Sequence, residues 1–138
     1  MSPIRVLPNA EALLVAFLRA DPDVSALAGQ RGYTGALPPD PGLPCFRVTR
    51  WGGVPAVGYP LVLDTASMQV DVWASTNTAA QALLATIRAV MAERMPGKHP
   101  TGVVTRVDFG PMSDAPDTTF DPPRPRYVAD VTITYRGL

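Results

Sequence analysis

The chain has 138 residues, with 12 basic and 12 acidic side chains, one histidine and one cysteine. That length fits a single domain spanning 1–138, large enough to bury a core without metals or disulfides. The balanced charge argues against a protein dedicated to sequence-specific nucleic-acid binding, whose affinity would rest on neutralising phosphates.

Residues 9–20, "NAEALLVAFLRA", predict the first helix. Asn9 is placed to cap it, Glu11 complements its positive end, and Leu13, Leu14, Phe17 and Leu18 form one apolar stripe. Asp21-Pro22 stops it, because the residue before proline avoids helical dihedrals. A short second helix follows in "PDVSALAG", with Pro22 in the first turn and Gly29 as the stop. "GYTGAL" (32–37) reads as a weak strand and "PCFRVTRW" (44–51) as a stronger one. In the latter, Cys45, Arg47, Thr49 and Trp51 share one face and Phe46, Val48 and Arg50 the other. A third strand lies within 61–75, strongest from Met68 to Trp73.

The long helix is expected over 78–94, with Thr78 and Gln81 as a capping box and Ser75, Thr76 and Asn77 as rival caps. Ala80, Leu83, Leu84, Ile87, Val90 and Met91 recur at helical spacing. Strands at 102–110 and 126–137 close the pattern. In the last, Tyr127, Ala129, Val131, Ile133 and Tyr135 alternate with Val128, Asp130, Thr132, Thr134 and Arg136. Helices first, then strands around one long helix, predict an α+β domain: a mostly antiparallel sheet with the N-terminal and long helices on one face.

The 16 prolines and 11 glycines cluster at 38–44, 52–60 and 110–125. These stretches read as long Pro/Gly-rich loops of one domain, since proline fixes its own dihedral and removes a ladder donor. The charged fraction of 17% is below the usual quarter, so weakly charged surface is expected to meet a partner. Cys45 is alone, which excludes an intrachain disulfide and suits a reducing cytoplasm. "MSPIRVLPNAEALL" lacks the basic region and uninterrupted apolar core of a signal peptide. No apolar run approaches the roughly 20 residues that span a bilayer, so no membrane partner is expected.

Catalytic groups find little support. His99, in "PGKHP", has no supporting cluster and reads as an exposed loop residue rather than a base or metal ligand. Cys45 would need a base to become a nucleophile, and a buried strand residue is the simpler reading. Asp64, Asp71, Asp108 and Asp130 lie in or beside strands. Alternation puts Asp71 and Asp130 on polar faces, solvated or paired with Arg47, Arg50, Arg106 or Arg136. Neither "GQRG", "WGGV" nor "PGKHPTG" fits a phosphate-binding loop. No catalytic residue, metal or cofactor is expected.

In order and spacing these pieces resemble the tail completion (tail terminator) proteins of long-tailed bacteriophages. The matching run begins with the N-terminal helix and "DPDVSALAGQRGYTGALPPDPGLPCFRVTRWG". It continues through "MQVDVWASTNTAAQALLATIRAVM" to "RYVADVTITYRG", covering roughly 9–137. The resemblance implies a non-enzymatic virion protein at the tail–neck junction, assembled in the host bacterial cytoplasm. It would form a ring, typically a hexamer, on the last ring of the tail tube, end polymerisation and face the head–tail connector. Its partners would be copies of itself, the tail tube protein and the connector or neck protein. The proline-rich loops then become contact candidates, with Trp51, Tyr59, Met112 and Phe120 as apolar anchors in or beside them. A neck or head-closure protein is the nearest rival. A small-molecule- or peptide-binding α+β domain is further off, and an enzyme built on Asp71 or Cys45 further still.

Overall fold

The structure is a computed structural model and describes residues 6–53 and 63–138. Its elements are α1 (Ala10–Ala20), α2 (Pro22–Ala28), β1 (Gly32–Thr34), β2 (Cys45–Gly52), β3 (Leu63–Trp73), α3 (Asn77–Arg94), β4 (Gly97–Lys98), β5 (Val103–Asp114) and β6 (Arg126–Arg136). The six strands form one sheet in the order β1-β2-β3-β6-β5-β4. Among the described residues only the β1–β2 pair is parallel. The α+β architecture expected from the sequence is the one observed.

Local chemistry sets the helix ends. The Asn9 side chain accepts from the Ala12 N–H at 3.1 Å and opens α1. Asp21 both closes α1 and opens α2, accepting from the N–H groups of Asp23 (2.9 Å) and Val24 (3.3 Å). Gly29, at φ +56° and ψ −132°, ends α2 in a positive-φ conformation that glycine adopts without a Cβ penalty. Arg94, at the end of α3, reaches back to Asp21 (2.9 Å) and Asp23 (2.7 Å), locking the α1–α2 corner to the long helix. Burial alone would raise the Asp21 carboxyl. The hydrogen bonds from Arg94, Val24 and Asp23 outweigh it and hold the group below its ordinary value.

The core lies between the helices and one face of the sheet. Leu14 and Leu18 of α1, Leu83, Leu84, Ile87 and Met91 of α3, and Val48, Met68, Val70, Val131 and Ile133 of the sheet are buried in one cluster. β3 shows the alternation clearly, with Asp64, Ala66, Met68, Val70 and Val72 turned inward. Gly32 is required where β1 crosses Phe46: a Cβ there would collide with the phenyl ring.

Four details depart from the sequence expectations. The cap of α3 is Thr76, whose hydroxyl accepts from Ala79 N–H at 3.1 Å, so the rival cap wins over Thr78–Gln81. Its position three residues on is Ala79, so no reciprocal capping box forms. β5 runs on through Gly110 and Pro111 to Asp114. A bulge between Phe109 and Met112 accommodates Pro111, and β4 borders β5 only at Val103 and Val104, so the missing N–H breaks no ladder bond. The short strand β4 was not anticipated. Finally, Asp71 is 1% exposed: of the two alternatives expected for it, solvation fails and the pairing with Arg47 holds.

Candidate functional site

The groups with catalytic potential are dispersed. Cys45, fully buried, opens β2 opposite Trp73 on the polar face of the sheet. Burial pushes its thiol up to about 11, away from the reactive thiolate. His99 follows β4, which three strands separate from β2 in the sheet, and sits on the helix side against Phe17, with ring centroids 5.4 Å apart at 88°. Its Nε2 lies 2.6 Å from the Met95 carbonyl, which can only accept, so Nε2 carries the proton. The ring is half-buried packing rather than the exposed loop residue expected. Among the described residues, no group of three His, Cys, Asp or Glu side chains comes together as a metal set would require.

Two buried carboxylates each hold an arginine. Asp71 pairs with Arg47 at 2.9 Å and accepts from Gln69 at 2.5 Å. Asp64 takes Arg50 at 3.1 Å and the Tyr135 hydroxyl at 2.8 Å. Burial would raise Asp64, but those two donors and the Thr65 N–H outweigh it and keep the carboxyl below its ordinary value. Burial first, and then the hydrogen bond to Asp64, raises the Tyr135 phenol. Both pairs link β2 to β3, which fits a structural role, although the buried Arg47 Nε has no hydrogen-bond partner.

Strand register assembles a less obvious cluster at the Cys45–Trp73–Arg126 end of the polar face. The Trp73 indole has the Arg47 guanidinium 5.2 Å from its ring centroid and that of Arg126 at 6.0 Å. Its Nε1–H donates to Asp117 at 2.9 Å. Asp117 also accepts from the Thr119 hydroxyl at 2.7 Å. These bonds outweigh burial and hold its carboxyl low. Arg124 stacks on Phe120, 3.7 Å from the ring centroid. Pro38, Pro39 and Pro41 close the other side, leaving a pocket of about 380 Å³. The sequence reading missed this cluster. Its traces were the alternation of Arg47 with Cys45 on one face and the run "PRPRY" (123–127), where Arg124 and Arg126 stand two apart on extended chain and share a side.

The expected contact anchors fare differently. Trp51, at the end of β2 on the polar face, is 62% exposed, and Phe120 is 38% exposed. Met112 is not in a loop: it lies in β5 opposite Ala129 and packs, partly buried, against the core. Tyr59 and residues 54–62 of the second Pro/Gly cluster lie outside the described residues. A separate apolar groove of about 470 Å³ runs along α1, between Ala12, Ala16 and Phe17 on one side and His99 and Pro100 on the other.

Comparisons with known proteins complete the description. The fold resembles that of a chain in the virion of a native gene transfer agent particle, with a TM-score of 0.56 and 18% identity over 93% of each chain. No curated protein matches the chain. The family described as tail completion protein gp17 matches residues 12–119. The chain therefore belongs to the tail completion protein family, a family of phage tail structural proteins.

Proposed function

We propose that this chain assembles with copies of itself into a ring of hexameric size that caps the finished tail tube. The ring would end polymerisation of the tube and offer its outer side to the head–tail connector, at the tail–neck junction of the virion. Family membership over residues 12–119 carries this reading. Two surface features support it. Trp51 and Phe120 are large apolar side chains left exposed at separate places on the described surface, as contact anchors would be. Charged groups are few, and a closed ring buries weakly charged patches between neighbours. Trp51 and Phe120 are the contact residues within the described part, with Tyr59 a third. Met112 contributes mainly to the core.

The role is structural and not enzymatic, a reading supported by the dispersal of Cys45, His99 and the paired carboxylates. Particles lacking the gene should carry tails of uncontrolled length. Tails of normal length that fail to join heads would instead favour the connector reading, and normal joined tails would refute both.

A further inference from the structure

We infer that the pocket between the two proline-rich loops is a recognition site for an acidic residue, carried on an extended, apolar-flanked segment of a partner protein. Arg47, Arg124 and Arg126 all line one concavity. Two carboxylates stand beside them, and each already has donors. Asp71 is engaged by Arg47 and Gln69, and Asp117 by Trp73 and Thr119. Among the described residues neither Arg124 nor Arg126 has a carboxylate within ion-pairing distance. Within the lining of this pocket three guanidinium groups face one carboxylate, Asp117, while Asp121 lines the adjoining hollow.

Geometry favours a planar acceptor. Arg124 lies against the Phe120 ring at 3.7 Å, and contact through a guanidinium face leaves its in-plane N–H donors available. Arg126 is held from behind by its Nε donating to the Ala115 carbonyl at 2.7 Å. Two guanidiniums fixed in this way suit a carboxylate, which accepts paired N–H bonds. The surroundings suit an extended peptide. On the far side of Phe120 a second depression, about 330 Å³, is lined by Leu43, Pro122, Pro123 and Pro125, with Ser75 and Asp121 among them. Phe120 and Arg124 belong to both hollows. An acidic side chain entering the arginine pocket would therefore place its neighbour on the proline floor. Proline-rich walls lose little freedom on binding, which lowers the ordering cost. The site stands apart from the ring proposal: the chain could hold such a segment in a ring or in a connector.

The test uses the whole chain and the peptides acetyl-Leu-Asp-Pro-amide and acetyl-Leu-Asn-Pro-amide, followed by the NMR signals of Trp73 Nε1–H and the arginine Nε–H groups. The Asp peptide should move the Trp73 and Arg124 signals saturably, with the Asn peptide at least about fivefold weaker, the order expected for losing a charge-assisted contact. Arg124→Gln should abolish the response while other amide signals stay in place, and Arg124→Lys should restore it only in part. Absence of a saturable shift, or equal binding of the two peptides, would overturn the inference. So would inorganic phosphate or a short oligodeoxynucleotide moving the same signals at lower concentration, which would point to nucleic-acid phosphates instead.

Discussion

Replacing Asp71 with alanine separates a structural from a catalytic reading of the carboxylate that alternation places on the polar face. In the structure it is 1% exposed, accepts from Gln69 and pairs with Arg47. Removing one partner of a fully buried pair costs about 3–5 kcal/mol, because the other charge is left uncompensated. The Arg47 side chain is 28% exposed and can recover part of its hydration, so the expected loss is about 2 kcal/mol. Unfolding entropy for a chain of this length is about 0.3 kcal/mol per kelvin, so the melting temperature should fall by about 7 °C. Urea titration followed by Trp fluorescence and circular dichroism would measure the loss, with an unchanged denaturant slope showing that the fold persists. Arg47→Met combined with Asp71→Leu should recover much of the stability, since a matched apolar pair leaves no orphan charge. A loss below about 0.5 kcal/mol, the range of a neutral surface substitution, would refute the reasoning. So would a variant of full stability that no longer supports tail assembly, which would give Asp71 a direct functional role.

Three further outcomes follow from the same contacts. Thr76→Ala should cost about 1 kcal/mol in chemical denaturation, whereas Thr78→Ala should stay within about 0.5 kcal/mol; the reverse order would restore the capping box at Thr78. Cys45 should resist a thiol reagent at about pH 8 in the folded protein and react fully in denaturant, because it is buried with its thiol pushed up to about 11; rapid native labelling would contradict that burial. Asp21, Asp64 and Asp117 are all held below the ordinary carboxylate value when folded. Their stabilisation is therefore complete above about pH 4 and lost as pH falls through the lower folded values. Urea midpoints should fall as pH drops below about 4 and fall less steeply in Asp64→Asn, while a flat profile would count against these pairs.

Elements governed by local chemistry were legible in the sequence. Asn9, Pro22 and Gly29 mark their helix ends by capping and dihedral preference alone. The alternation in 126–137 predicted which side of β6 is buried. The misreadings share a cause: they depend on which segments become neighbours. Pro111 looked like a strand breaker, yet at a bulge on a mostly unbordered edge it interrupts no ladder bond. For Asp71, solvation stood beside the Arg47 pair as an alternative because alternation assigns a face without saying what covers it. The arginine pocket was invisible for the same reason, since it exists only when the 38–44 and 115–125 loops meet over Trp73. His99 looked exposed because its partners, Phe17 and the Met95 carbonyl, belong to two different helical regions.

Electron microscopy of purified tail tubes incubated with this chain tests the ring proposal most directly. The account predicts added density of ring shape and hexameric mass at one end of each tube, and no further growth of tubes so capped when tube subunits are supplied. Tubes that keep bare ends and continue to lengthen in the presence of folded, saturating protein would contradict it.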